Sequence, residues 1–461
     1  MNKKTMRWSY AALSIILVMS ATTLPAANNS RPNVLFIAID DLRTELGCYG
    51  RSHVHSPNID ALAERGMRFD RAYVQAAFCN PSRASFLSGL RPDDTQVLGN
   101  KQWFRRTLPN AVTMPQLFKE SGYTTVRIGK IYHGTESMED PKAWTRAVYP
   151  QGTDLGKQGE GRNLTDGKVR WCRWMAAEGD DEDQPDGQIA ALAVEFLARD
   201  QQRPFFLAVG FHKPHDPFVA PARYFDYYPP ERVRLNRDPS DRSPELPVAL
   251  PNGWKIEFDK FDDVKRREFL RAYLACISFV DAQVGKVLDA LKATGHDGDT
   301  IVVLVSDHGY HLGERGWWNK NTLFELTART PMIVYTPQMK AAGQPCSRLV
   351  EFVDIYPTIA EYCGLTPPDN LAGRSFLPLL DNPDQSWKDA AFMQLVRGPV
   401  DGRTVRTERW RYTEWDGGAE GVELYDHDTD PGEYHNLAAD PNCKKIVTEL
   451  QTLLRRGPPR P

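Results

Sequence analysis

Five strand-length runs rich in apolar and β-branched residues constrain this chain most: Val34–Ile39, Tyr123–Ile128, Phe205–Val209, Ile301–Val305 and Met332–Tyr335. Val34–Ile39 shows no apolar/polar alternation, which is the mark of a strand covered on both faces. Between the runs lie helical patterns. The clearest places Leu270, Tyr273, Leu274, Ile277, Val280, Val284, Val287, Leu288 and Leu291 on one stripe that ends before Gly295. Shorter helices are expected after Asn58, closing at Gly66, and after Thr113, closing at Gly122. Strands alternating with helices predict an α/β fold with a mainly parallel central sheet.

The chain termini differ from this body. Lys3, Lys4 and Arg7 precede the apolar run Ala11–Met19, and small residues follow. This predicts a signal peptide over 1–27, cut between Ala21 and Ala27. The run falls short of the roughly 20 apolar residues that span a bilayer, so a periplasmic or secreted protein without a transmembrane anchor is expected. At the other end, Phe392–Val396, Arg403–Trp415 and Gly421–Tyr425 read as short antiparallel strands, followed by a helix around Cys443–Arg456. A catalytic domain over 31–380 and a small α+β domain over 381–461 are therefore expected. Two stretches without sustained periodicity, Glu136–Gly187 and Asp216–Pro251, have the character of loops that shape a binding site.

Charge and cysteine content exclude two classes of function. With 57 Lys plus Arg against 60 Asp plus Glu, the net charge of -3 gives no field that gathers polyanions, and no nucleic-acid partner is expected. The seven cysteines form an odd set with no CxxC pair or zinc spacing.

Ligands of an open parallel sheet bind beyond the carboxyl ends of its strands. Three strands run directly into polar groups there: the first into Asp40-Asp41, the strand at Ile301 into Ser306-Asp307-His308-Gly309, and the strand at Phe205 into His212-Lys213-Pro214-His215. An Asp pair alone after a strand commonly caps a turn. Three carboxylates at one rim repel one another unless a cation lies between them, and an oxygen-rich set favours calcium or magnesium over zinc.

A further string, Cys79-Asn80-Pro81-Ser82-Arg83, continues as ASFLSGLRP to Pro92. A lone Cys is commonly a small buried hydrophobe, but this string resembles the signature of the type I sulfatases, whose Cys is oxidised to formylglycine. The resemblance extends to Arg31-Pro-Asn-Val, to Ser56-Pro-Asn-Ile-Asp-Ala-Leu-Ala, to Gly129-Lys130-Ile-Tyr-His133 and to the ending Leu424-Tyr-Asp-His-Asp-Thr-Asp-Pro-Gly-Glu. Three strings are similar to the iduronate 2-sulfatase subgroup: His212-Lys-Pro-His215-Asp-Pro-Phe, the stretch from Asp307-His-Gly-Tyr to Trp-Asn-Lys320, and Phe352-Val-Asp-Ile-Tyr-Pro-Thr.

That resemblance implies an alkaline-phosphatase-like core, a calcium ion held by Asp40, Asp41, Asp307, His308 and the modified Cys79, and a maturation enzyme that forms formylglycine. Many family members carry Asn where this chain has His308. The implied reaction hydrolyses a sulfate ester of a carbohydrate, in this subgroup a 2-O-sulfated uronic acid of a glycosaminoglycan or related polysaccharide. Hydrated formylglycine attacks sulfur, and its second hydroxyl lets the sulfated residue collapse and expel sulfate. Arg83, Lys130 and Lys320 are the cations that accept developing charge, His215 or Lys320 protonates the leaving alcohol, and His133 is the base. His212 and Lys320 are expected to touch substrate, while Trp103, Arg105 and Arg106 either meet a carboxylated sugar or lie on ordinary surface. Two alternatives are a phosphodiesterase or phosphonate monoester hydrolase of the same superfamily, and a noncatalytic carbohydrate-binding protein that would have lost its nucleophile.

Overall fold

The first apolar run becomes a strand buried at every position, Asn33–Asp40, in a computed structural model that describes residues 31–134, 138–199 and 203–458. The signal peptide expected over 1–27, and the start of the irregular segment at Glu136, lie outside the described residues. In chain order the strands are β1 (Asn33–Asp40), β2 (Met67–Tyr73), β3 (Thr124–Gly129), β4 (Arg146–Val148), β5 (Gly159–Asn163), β6 (Arg173–Ala177), β7 (Phe205–Pro214) and β8 (Phe218–Pro221). There follow β9 (Thr300–Ser306), β10 (Met332–Tyr335), β11 (Cys346–Glu351), β12 (Ala390–Arg397), β13 (Val400–Thr407), β14 (Trp410–Trp415) and β15 (Gly421–Asp426).

The main sheet has the order β11-β2-β10-β9-β1-β7-β3-β4. β1 lies between β7 and β9 and runs parallel to both. β3 is parallel to β7 and to β4. The carboxyl ends of β1, β3, β7 and β9 therefore meet along one rim. The sheet is mainly parallel, with β10 antiparallel to β9 and β2. Together with the small antiparallel sheet at the C-terminus, this is the alkaline-phosphatase-like architecture.

Helices cover the sheet. The helix Asp263–Ala293 is opened by Asp262, whose side chain accepts from the Lys265 amide, and it buries the predicted stripe from Leu270 to Leu291. The helices after Asn58 and Thr113 span Pro57–Arg65 and Met114–Glu120. No described helix is long and apolar enough to cross a membrane.

The structure corrects the reading in three places. β2 and β11 gave no apolar run, because charged residues punctuate both, β11 being the edge strand and β2 its neighbour. The segment after Glu136 is not without regular structure: β4 extends the main sheet and β5-β6-β8 form a second one. The single strand expected over Arg403–Trp415 is broken at Glu408-Arg409 into the hairpin β13–β14. No disulfide joins any of the seven cysteines.

The C-terminal sheet β12-β13-β14-β15 uses both faces. Phe392, Val405, Tyr412 and Leu424 pack against Leu450 and Leu454 of the helix Lys444–Arg456. Ala391, Met393, Leu395 and Trp415 belong to the main core. A buried ion cluster fastens this seam. Glu351, at the end of β11, accepts from Arg91 at 2.8 Å on each oxygen, from Lys388 at 2.9 Å and from the Phe392 amide of β12 at 2.9 Å.

Burial alone would raise the Glu351 carboxyl, but Arg91 and Lys388 outweigh it and hold it at about 2, against 4.5 for a free Glu. A depressed folded-state value contributes stability that is present above about pH 4.5 and is lost as pH falls toward 2. Glu351→Gln takes the carboxylate from the largely buried Arg91, while Lys388 keeps Asp354 at 2.6 Å, and is expected to cost about 3 kcal/mol at pH 7. Denaturant unfolding of both proteins at pH 7 and pH 3 checks this: the gap narrows at pH 3, and an equal gap at both values contradicts the assignment.

Candidate active site

The site begins where β1 ends. Asp40 is the last residue of that strand, and Asp41 turns the chain with φ 64°, a left-handed conformation that Asp tolerates better than most residues. Three hydrogen bonds fix the turn. The Asp41 amide donates to Asp307 Oδ1 at 3.1 Å, the Leu42 amide to Ser306 Oγ at 2.9 Å, and Tyr273 Oη to the Asp41 carbonyl at 2.8 Å. The polar ends of β1 and β9 are thereby tied together.

Helix Cys79–Ser88 is buried at every residue and ends at Gly89 in the left-handed conformation, φ 69°. Arg83 lies one turn from Cys79, which brings both onto one face. Its guanidinium is fully enclosed. Nε donates to Asp307 Oδ2 at 2.8 Å, Nη1 to the Lys130 and Ile131 carbonyls at 2.7 and 3.0 Å, and Nη2 approaches Asp40 Oδ1 at 3.4 Å.

Lys130 follows β3 and forms an ion pair with Asp40. Its backbone crosses β7 so closely that a Cβ on Gly210 would stand 2.0 Å from the Lys130 carbonyl oxygen. Glycine is required at that crossing. Lys320 comes from the segment after β9, anchored by the buried Trp317 and Trp318. Its Nζ donates to Asp41 Oδ1 and Oδ2 at 2.6 and 2.8 Å and reaches Cys79 Sγ at 3.4 Å. His308 Nε2 lies 3.2 Å from Cys79 Sγ and 3.3 Å from Asp41 Oδ1.

The ligand atoms of Asp40, Asp41, Cys79 and His308 all lie within 4.8 Å of one another. Asp307 is outside this tightest set. It faces the same cluster, but Arg83 and the Asp41 amide take its oxygens. Three carboxylates (Asp40, Asp41, Asp307) thus meet three cations (Arg83, Lys130, Lys320), all buried. Burial raises Asp40, but the cations, Lys130 foremost, hold it well below the ordinary carboxylate range. Burial likewise pulls Lys320 down, and Asp41 more than restores it, so this ammonium stays charged. At Cys79 the balance goes the other way, because Lys320 and Lys130 favour the thiolate less than burial opposes it. Burial pushes its thiol well up, so it is neutral at physiological pH.

The histidines stand around this cluster. Burial, then Lys130, pushes His133 down to about 3, and its buried Nδ1 has no hydrogen-bond partner among the described residues. His212 is pushed to about 3 by burial and packs edge-on against Tyr149, centroids 5.6 Å apart. His215 is held well below its ordinary value by burial, with Nδ1 2.5 Å from the Asp216 carbonyl oxygen. Beside His212, His215 and Asp216 lies a cavity of about 370 Å³, also lined by Tyr149, Arg173 and Lys213.

Two carboxylates here went unread in the sequence. Asp186, in the first turn of helix Pro185–Leu197, accepts from the amides of His212 and Lys213 at 2.9 and 2.8 Å, clamping the loop that carries His215. It lies in a stretch expected to be irregular, and only its position at a helix start could have marked it. Asp216, raised to about 7 by burial, follows His215 directly and groups with His215 and Asp41. Two candidates resolve to structural roles instead. Arg105 is buried in an ion pair with Asp140 at 2.5 Å, and the Trp103 indole donates to the Glu139 carbonyl. Arg106 is exposed.

Comparison with known proteins gives the family of the chain. The sulfatase family model matches residues 32–365, and the model for the C-terminal part of N-sulphoglucosamine sulphohydrolase matches 313–457. A sulfatase of Formosa agariphila is 33% identical, covering 92% of this chain and 86% of its own. Iduronate 2-sulfatase of Mus musculus is 32% identical, covering 96% and 98%. The crystal structure of a phosphonate monoester hydrolase of Agrobacterium radiobacter, 22% identical, superposes with a TM-score of 0.76 over 91% of this chain and 94% of that one.

The buried guanidinium at the centre of this cluster sets a test. Arg83→Met leaves Asp40 and Asp307 facing each other without it, and the expected loss of stability is about 3–5 kcal/mol. Thermal unfolding of the variant checks this. An unchanged midpoint would show that Arg83 does not hold the cluster together.

Proposed function

Because the chain belongs to the sulfatase family and is a sulfuric ester hydrolase, we propose that it removes sulfate from a 2-O-sulfated uronic acid of a glycosaminoglycan or related polysaccharide, with residue 79 as nucleophile after oxidation of Cys79 to formylglycine. The observation that carries this reading is the setting of Cys79: Lys320 and the His308 imidazole reach a thiol that burial keeps protonated, and Lys130 and Arg83 stand behind them on Asp40 and Asp307. An unmodified thiol held neutral is a poor nucleophile. Oxidised to the aldehyde and hydrated, residue 79 supplies one hydroxyl for attack at sulfur and a second whose deprotonation releases sulfate.

The donor set fits a hard divalent cation. Asp40, Asp41 and His308 would hold it with residue 79, and Asp307 completes the carboxylate side. Bound calcium would accept charge developing on the sulfuryl oxygens. The charge count supplies a second reason for the ion. Three carboxylates against three cations leave the protein's own cluster near neutrality, and a divalent ion makes it attractive to an anionic ester.

The remaining groups follow from position. Arg83, held rigid by Asp307 and two carbonyls, and Lys130 and Lys320, tied to Asp40 and Asp41, present fixed positive charge where the sulfate ester sits. His133, with its unpartnered buried Nδ1, takes the proton from the second hydroxyl. His215 lies between this cluster and the 370 Å³ cavity, where it, or Lys320, delivers a proton to the departing alcohol. That cavity takes the sugar, with His212 on its wall. The likeness to mouse iduronate 2-sulfatase supports the uronate assignment. Export before a signal peptidase cut, and conversion of Cys79 by a maturation enzyme, belong to the same reading.

Sulfate release from 2-O-sulfated uronate oligosaccharides is expected, with Cys79→Ala at least about 10³-fold slower. Rates on an aryl sulfate and an aryl phosphodiester decide between reaction types: faster phosphodiester cleavage overturns the sulfatase assignment of the site. Metal binding has its own readout. Calcium at 100 times its Kd is expected to stabilise the protein by about 2.7 kcal/mol, seen as a raised unfolding midpoint that a chelator reverses. A midpoint indifferent to calcium would contradict the ligand assignment.

A further inference from the structure

A larger cavity, about 790 Å³, is lined by residues of 43–53 and 227–236 and by none of the residues placed at the candidate active site. Its floor is a closed ion network. Arg43 donates to Glu45 and Glu314 at 2.8 Å each, and Asn236 donates to Glu314 at 2.7 Å. Glu45 also draws His53 to 3.1 Å and Arg51 to 3.9 Å. The floor is therefore satisfied and serves to hold the wall in shape.

The wall is different. Arg232 and Arg234 both line the cavity and are exposed, and their guanidiniums have no hydrogen-bond or ion-pair partner among the described residues. Glu231 is the acid beside them. Tyr227, 52% exposed, lines the same opening and stacks on His55 with ring centroids 4.3 Å apart and an angle of 28°. Unpaired guanidiniums beside an exposed, backed aromatic face form a pattern with clear chemistry. Planar guanidinium forks match sulfate and carboxylate oxygens, and a rigid aromatic ring with a polar tip accepts the C–H face of a sugar at small entropic cost.

We propose that this cavity is a second, noncatalytic binding site for a sulfated segment of the carbohydrate, with Arg232 and Arg234 on its anionic groups and Tyr227 under a sugar ring. The net charge of -3 argues against a nucleic acid as occupant. The proposal rests on the reading of the substrate as a sulfated carbohydrate. Such a site keeps a long chain on the enzyme between successive encounters with residue 79, raising the local concentration of uncleaved ester.

Calorimetry on the full chain carrying Cys79→Ala, chosen because its turnover is expected to be at least about 10³-fold slower, tests the site directly. The probes are a hexasaccharide bearing 2-O-sulfated uronate, its desulfated counterpart and inorganic sulfate. Added Arg232→Ala/Arg234→Ala, or separately Tyr227→Ala, is expected to weaken hexasaccharide binding by about tenfold or more, the scale of one lost charge-assisted hydrogen bond. In the otherwise unaltered enzyme the same changes are expected to raise KM on the polymer and leave kcat, and all kinetics on an aryl sulfate, unchanged. Hexasaccharide affinity within twofold of the parent in both variants overturns the proposal. So does inorganic sulfate binding as tightly as the hexasaccharide. Binding lost in the variants, alongside an enzyme that releases no sulfate from this oligosaccharide, would sink the substrate reading while the second site stands.

Discussion

The desolvated charge cluster behind Cys79 is the constraint on which the rest of this molecule depends. Asp40, Asp41 and Asp307 are removed from water at the carboxyl ends of β1 and β9, a cost of several kcal/mol per ion unless each is paired. Arg83, Lys130 and Lys320 provide the pairing, and each arrives from a different part of the chain: a buried helix, the end of β3 and the segment after β9. The parallel registers of β1 with β7 and β9 bring those parts to one rim. Fold and site are thus one problem: loss of the sheet order separates the charges, and loss of one charge leaves another buried and unpaired.

Much of this was legible in the residues. A strand covered on both faces must be apolar throughout, so Val34–Ile39 announced itself, and a polar pair directly after it had to lie at the rim. Asp307-His308 and His212–His215 were legible by the same logic. β2 was not, because MRFDRAY carries three charged residues on a half-buried strand and its pairing is decided by β10 and β11 rather than by its own period. Residues 146–177 hid their strands for a related reason: β4 and β5 are largely exposed, and nothing in their composition demands a sheet. Asp186 escaped because its work is done on the backbone amides of His212 and Lys213, a contact with no sequence signature. Arg105 misled in the opposite direction, since an Arg near a site and an Arg buried against Asp140 look alike in one dimension.

Burial gives Cys79 a chemical identity of its own. A thiol activated as a nucleophile sits beside cations in a partly exposed position with a lowered pKa. Here the cations are present, yet they are committed to carboxylates, and desolvation wins. The same enclosure that makes a thiol inert would keep bulk water from the aldehyde hydrate proposed at residue 79, and it holds fixed charges in a low dielectric, where they act most strongly on an anionic ester. The buried Trp317 and Trp318 anchor the segment that carries Lys320 into that enclosure.

The claim that residue 79 works only after oxidation is tested most directly by a peptide mass spectrum across Cys79 in active protein purified from its natural host. The account predicts a loss of about 18 Da relative to the thiol, from replacement of CH₂SH by CHO. An unmodified thiol at position 79 in protein that releases sulfate would contradict it.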